Sequence, residues 1–74
     1  MSNIPSFTPK EIVKILEKNG FILDRVKGSH HIYFNKNTGK RVVVPFHKKD
    51  LPKGTFWSII KGAGLNLIDL LSLF

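Results

Sequence analysis

Cysteine is absent from the 74 residues of this chain. The absence excludes disulfide scaffolds, cysteine zinc fingers, iron–sulfur clusters and thiol catalysis, and it is typical of proteins in a reducing cytosol. Long apolar runs are also lacking, since none approaches the ~18 residues that cross a membrane, and the N-terminal sequence has no secretion-signal pattern. A chain of this length forms one small domain. We therefore expect a single domain over residues 1–74 that is cytoplasmic and does not enter a membrane.

Acidic residues are scarce, with five against twelve basic residues, and the formal net charge is +7. The segment from Arg25 to Lys53 contains eight of the basic residues and one acid, Asp50, so it carries the whole excess of charge. All three histidines lie in the same segment. Such a segment attracts polyanions through phosphate contacts and counterion release. A solvated lysine surface that only maintains solubility is the alternative, but the segregation of the charge favours a polyanionic partner.

Most catalytic motifs are missing as well. The carboxylates are few and scattered, which excludes the paired acids of a glycosidase, and there is neither a Walker-type phosphate loop nor a dinucleotide-binding glycine turn. Ser29 lacks the carboxylate and the nucleophile elbow that a serine nucleophile requires. His30 and His31 are neighbours on a predicted strand and point to opposite faces, so they do not readily bind one metal ion. We expect neither a metal nor a cofactor.

Histidine and lysine in a basic surface remain. This combination suits metal-free cleavage of RNA, in which a ribose 2′-OH attacks the adjacent phosphate. Imidazole transfers protons near neutral pH, and lysine or backbone N–H groups stabilise charge on the phosphate. Composition alone does not assign this activity, because a histidine on a strand is more often structural than catalytic.

Capping and turn residues divide the chain into helices and strands. Thr8-Pro9-Lys10-Glu11 contains an N-cap, a proline at N1 and a capping-box glutamate, which predicts a helix over about 8–19. Three strand-like segments follow, separated by short turns: Phe21–Val26, His30–Asn35 and Lys40–Val44. Pro52 opens a second helix with apolar residues at helical spacing, and Asn66 begins a short C-terminal helix.

These elements predict an α+β fold with the order α-β-β-β-α. Turns this short join antiparallel strands, because parallel strands need long crossovers. We expect a three-stranded antiparallel sheet with two helices on one face, followed by the short C-terminal helix.

Four blocks of sequence, in this order and spacing, resemble the HicA toxin family: Lys27–Tyr33, Val42–His47, Leu51–Thr55 and Ile59–Leu65. The resemblance covers nearly the whole chain. It implies a double-stranded-RNA-binding-domain-like fold, which agrees with the predicted element order. It also implies a translation-independent mRNA interferase that acts on RNA and is neutralised by an acidic HicB-like antitoxin.

The resemblance places the catalytic histidine of the family in the block Gly28-Ser29-His30. We favour His30 as the general acid or base, with His31 as the alternative, because family members differ in which position after the serine carries the active imidazole. If His30 is catalytic, we expect His31 to face solvent on the strand and to add affinity for phosphate. His47 matches another family position, where it either takes part in the site or holds the start of the second helix.

Charge, rather than a motif, selects most of the residues expected to bind RNA phosphates. They are Lys27, Ser29, His47, Lys48, Lys49 and Lys53. Trp57 departs from the family pattern, and it either marks a partner surface or packs against the apolar tail 70–74. Self-association into a homo-oligomer stays open. Two other functions also remain: a non-catalytic module that binds double-stranded RNA through helix shape, and an interaction protein for an acidic partner protein.

Overall fold

The computed structural model describes residues 7–46, 50–66, 68 and 69. In chain order, its elements are helix α1 (Pro9–Lys18), strands β1 (Ile22–Lys27), β2 (His30–Asn35) and β3 (Lys40–Pro45), and helix α2 (Lys53–Gly62). The strands form one antiparallel sheet in the order β1-β2-β3. The predicted α-β-β-β-α order and the antiparallel sheet are confirmed.

Helix α1 begins where its capping residues predict. The Glu11 backbone amide donates to the Thr8 hydroxyl, and the Thr8 amide donates to the Glu11 carboxylate, which completes a capping box with Pro9 at the first helical position. Phe7 and Ile12 are both buried on either side of this cap, as in a hydrophobic staple. The start of α1 is therefore fixed by local sequence.

The first strand begins one residue later than predicted, because Phe21 completes the end of α1. Gly20 has a φ of +94°, and its amide donates to the Glu17 carbonyl, while the Phe21 amide donates to the Leu16 carbonyl. These are the two hydrogen bonds of a Schellman motif, which places a residue with positive φ after the helix. The Phe21 ring is buried in the core. Strand β1 instead extends one residue further than predicted, to Lys27.

Both helices cover the same face of the sheet, as predicted. Strands β2 and β3 supply the buried side chains of Tyr33, Val42 and Val44, which lie on one face because their register pairs Tyr33 with Val42. The helices supply the larger share of the same core, with Ile12, Ile15 and Leu16 from α1 and Phe56, Ile59 and Ile60 from α2. Strand β1 remains exposed along its whole length.

Trp57 is half-buried at the margin of this core. Its ring meets the Phe56 ring edge-on, with the centroids 5.0 Å apart. The predicted contact with residues 70–74 lies outside the described residues.

The chain after α2 turns into the start of a further helix. The Asp69 amide donates to the Asn66 side chain, and the Asn66 amide donates to the Asp69 carboxylate, both at 3.0 Å. This reciprocal pair is a capping box, and residues 68 and 69 are helical. The rest of the predicted C-terminal helix, residues 70–74, lies outside the described part of the chain. Within that part, no helix is long and apolar enough to cross a membrane.

Candidate active site

A tight hairpin between β1 and β2 positions the first histidine. Lys27 pairs with His30 across the two strands, so the loop contains only Gly28 and Ser29. Gly28 has a φ of +60°, and Ser29 does not have a positive φ. Positive φ at the first loop position alone is the pattern of a type II′ turn, which favours glycine there. The Ser29 carbonyl also accepts a hydrogen bond of 2.6 Å from the Phe46 amide, which ties the turn to the end of β3.

The two neighbouring histidines lie on opposite faces of the sheet. His30 is exposed and pairs with Pro45, whereas His31 pairs with Val44, a fully buried core residue. The His31 imidazole is half-buried and stacks on the Phe46 ring, with the centroids 3.9 Å apart and an interplanar angle of 20°. The expectation that His31 faces solvent is therefore wrong, because the helices cover the face of β2 on which it lies.

His30 lines an open groove where the edge strand β3 meets α2. The groove has a volume of about 520 Å³. Its lining includes His30, Val43 and Pro45 from the sheet, and Pro52, Thr55 and Ser58 from the start and first turns of α2. The groove therefore joins an exposed imidazole to the beginning of a helix.

The start of α2 presents uncapped backbone amides to this region. Pro52 is the N-cap residue, and no side chain forms a capping hydrogen bond there. The Phe56 amide makes the first intrahelical bond, to the Pro52 carbonyl at 2.9 Å, so the amides of residues 53 to 55 precede the helical ladder. A helix N-terminus carries partial positive charge and favours anions such as phosphate.

Two of the predicted phosphate-binding lysines lie near the groove. Lys27 ends β1 directly across from His30, and Lys53 stands between the groove residues Pro52 and Gly54. Both lysines are exposed, and among the described residues neither forms an ion pair. Three further predicted site residues, His47, Lys48 and Lys49, lie outside the described residues.

Asp24 engages two other basic residues of the same segment. Its carboxylate forms ion pairs with Arg41 and, at 3.7 Å, with Arg25. The Arg41 guanidinium also lies over the Phe34 ring, 4.6 Å from its centroid. Arg25 and Arg41 are therefore already engaged in contacts within the sheet. Lys27 and Lys53 are the better-placed cations for a ligand in the groove.

The sequence pattern missed three residues that line the groove. Thr55 and Ser58 are three residues apart and lie outside the apolar stripe of α2. Their i, i+3 spacing, which places both on one side of the helix, could have identified them. Val43 follows the core residue Val42 and therefore points to the opposite face, where it stays 45% exposed. Strand alternation identifies it as an outward-facing valine.

Among residues 7–46, 50–66, 68 and 69, no three His, Asp or Glu side chains come close enough together to hold a metal ion.

Comparison with models of protein families identifies a family for most of the chain. The model of a protein family described as HicA toxin of bacterial toxin–antitoxin systems matches residues 9–65. The match begins with α1 and ends just after α2, so it includes every strand and all the groove residues. No curated protein matches the chain.

Proposed function

The chain belongs to the HicA toxin family of bacterial toxin–antitoxin systems, and from this premise we propose that it is a metal-independent RNA endonuclease, an mRNA interferase. In this proposal His30 is the general acid or base and His31 the alternative. The α-β-β-β-α order supports assigning the fold to the double-stranded-RNA-binding-domain-like type.

One observation carries the proposal: the exposed imidazole of His30 shares a groove with the uncapped start of α2. In the proposed reaction, the ribose 2′-oxygen forms a bond to the neighbouring phosphorus and the bond to the 5′-oxygen of the next nucleotide breaks. His30 either takes the proton from the 2′-OH or gives one to the departing 5′-oxygen. The first-turn amides of α2 and the Lys53 ammonium stabilise the negative charge that develops on the phosphate.

The rest of the proposed RNA contacts follow from charge. Lys27 and Ser29 flank His30 in the hairpin, and Lys53 begins α2 beside the groove. We assign phosphate contacts to these residues and, from the sequence, to His47, Lys48 and Lys49. The charge of the lysines draws the RNA backbone toward His30.

The proposed protein partner is an acidic, HicB-like antitoxin. Family membership implies such a partner, and the net charge of +7 provides the complementary surface. We propose that the antitoxin covers the groove and His30. An acidic antitoxin is attracted to the same basic surface as the RNA, so it competes with the RNA for that surface. Cleavage that stays blocked in a complex whose His30 remains open to solvent would contradict this arrangement.

The test is cleavage of a long single-stranded RNA by the purified chain in EDTA, with the His30→Gln variant beside it. We expect cleavage by the wild type and its loss in the variant while the circular dichroism spectrum is unchanged. Binding of duplex RNA without any cleavage would contradict the nuclease and select the non-catalytic module. Full activity in both His30→Gln and His31→Gln would remove histidine catalysis at this site.

A further inference from the structure

We propose that the groove beside His30 is a binding site for one unpaired nucleobase of the RNA, and that Thr55 and Ser58 hydrogen-bond the edge of that base. The inference rests on the proposed function for the identity of its ligand. It adds a feature that the substrate must have, a base turned out of the stack, and two residues that govern base preference.

The size of the groove suits a nucleobase together with its sugar. Its volume of about 520 Å³ lies within the range of ~300–1,000 Å³ that is typical of small-ligand sites. The groove is also open to solvent, so a base enters it without any rearrangement of the strands or of α2. A phosphate alone would leave most of this volume empty.

The lining of the groove is largely apolar, which a phosphate does not need and a base does. Val43 and Pro45 contribute apolar surface from β3, and Pro52 and Ile59 contribute it from the α2 side. Val43 is 45% exposed although valine is ordinarily buried. A nucleobase has two apolar faces. Packing a base against the apolar lining of the groove removes apolar surface of both from water, which is favourable.

Two hydroxyl groups interrupt the apolar lining. Thr55 and Ser58 are three residues apart, so both lie on one side of α2. In the part of the chain that the structure describes, neither hydroxyl takes part in a side-chain hydrogen bond. Each hydroxyl both donates and accepts. The pair is therefore suited to the polar edge of a base, with a preference that is graded rather than absolute.

The position of His30 connects this site to the reacting phosphate. The imidazole lines the same groove as Thr55 and Ser58, so a base held there belongs to a nucleotide next to the bond that His30 acts on. In a duplex that base is stacked and its pairing edge is occupied, and extruding it costs a few kcal/mol. The structure thus favours unpaired RNA at the cleavage site.

The experiment uses a short single-stranded oligonucleotide with 2′-deoxyribose throughout, because without a 2′-OH the strand is bound but not cut. Its affinity for the full chain is measured by fluorescence anisotropy. Strands of the same length, each with one base removed to leave an abasic sugar, and a duplex of the same sequence are compared with it. We expect removal of one particular base to lower the affinity on the order of tenfold. The affinity for the duplex should be no higher than that for this abasic strand.

Variants locate the effect. Thr55→Val and Ser58→Ala remove the hydroxyls with little change in shape, and together they should abolish most of the difference between the intact and the abasic strand. Thr38→Val, in the turn between β2 and β3, removes a hydroxyl far along the sheet from His30 and should leave the difference intact. Backbone amide shifts of Thr55 and Ser58 in NMR spectra should follow the intact strand and not the abasic one.

Each result decides the proposal. Equal affinity for the intact strand and every abasic strand, or amide shifts at Thr55 and Ser58 that persist with the abasic strand, would overturn the base site. A parallel cleavage assay with the corresponding ribose strand keeps the two claims apart. Base-dependent binding without cleavage would leave the base site standing and refute the nuclease, whereas cleavage that ignores the abasic change would refute the base site alone.

Discussion

His30 and His31 are neighbours in the chain, yet strand β2 directs one imidazole to the open groove and the other onto the Phe46 ring. His30 is exposed and pairs with Pro45, while His31 shares its face with the buried Val44. The two residues therefore differ in what their removal should cost: the first should affect catalysis, and the second should affect mainly packing.

The first prediction follows from this separation. His30→Ala should reduce RNA cleavage by ~10²–10⁴-fold, the usual contribution of a general acid or base, with little change in stability because the side chain is exposed. His31→Ala should lower the free energy of unfolding by about 1 kcal/mol, since it removes an aromatic stack, and should cost less activity. Single-turnover cleavage and urea unfolding, followed by Trp57 fluorescence, measure the two effects.

A double-mutant cycle with Phe46→Leu is the control for the stack. If His31 acts through Phe46, the two substitutions together should cost less than the sum of the single losses in stability. Cleavage that survives in His30→Ala and disappears in His31→Ala, with both variants folded, would transfer the catalytic role to His31.

A second prediction concerns the turn that holds His30. Gly28→Ala should lower the free energy of unfolding by ~1–2 kcal/mol, because an L-residue is strained at the positive φ of +60° found there. Space is not the reason, since nothing lies within 4 Å of a Cβ built at this position. Cleavage should fall with it, as the turn positions the first residue of β2.

Chemical synthesis offers a matched control, because D-alanine accepts the same φ without strain. A chain with D-alanine in place of Gly28 should regain the stability of the wild type, and its cleavage with it. An L-alanine variant as stable as the wild type in urea would show that the turn is not strained in this way.

The ends of the helices and strands were predictable from the sequence to within one residue. The face of the sheet that the helices cover was not. Helix caps and turns depend on a few neighbouring residues, such as Thr8 and Gly28, and can therefore be predicted from local sequence. In β2, however, the face toward the helices carries Tyr33 and the polar Asn35, while the opposite face carries aliphatic and aromatic residues, so hydrophobicity alone favours the wrong face.

Asn35 explains how a polar residue is buried on the core face. Its amide nitrogen donates to the Asn19 carbonyl at the end of α1, and its side-chain oxygen accepts from the amides of Asn37 and Thr38 in the following turn. Buried polar groups are tolerated when they are hydrogen-bonded. Asn19 is distant from Asn35 in the sequence, and the amides of Asn37 and Thr38 become partners only once the turn has formed. The groove likewise forms only once α2 has packed beside β3. The sequence pattern therefore predicts neither the burial of Asn35 nor the groove.

A third prediction tests the electrostatic part of RNA binding. With the His30→Gln variant, which keeps the RNA intact, the logarithm of the affinity for single-stranded RNA should fall linearly with the logarithm of the salt concentration. Lys27→Gln in that background should reduce the slope by ~0.7, the value for one phosphate contact. Lys14→Gln, an exposed lysine on α1 outside the basic segment, is the matched control and should leave the slope unchanged. An affinity that does not respond to salt would refute the model.

The last prediction concerns Tyr33, the only tyrosine of the chain. Burial raises the pKa of its phenol above the ordinary value of 10.0, and the negative charge of Glu17 raises it further. The folded chain thus holds the phenol proton more tightly than the unfolded chain, so this contribution to stability is fully present below about pH 10 and is lost as the pH rises toward the folded-state pKa. Absorbance of the tyrosinate should show a titration midpoint above that of an unfolded peptide. Glu17→Gln should lower the midpoint, and Tyr33→Phe should flatten the fall in unfolding free energy over the same pH interval relative to the wild type. With Trp57 fluorescence confirming that the chain is still folded, a midpoint at or below that of the peptide would show that the phenol is not shielded by the core.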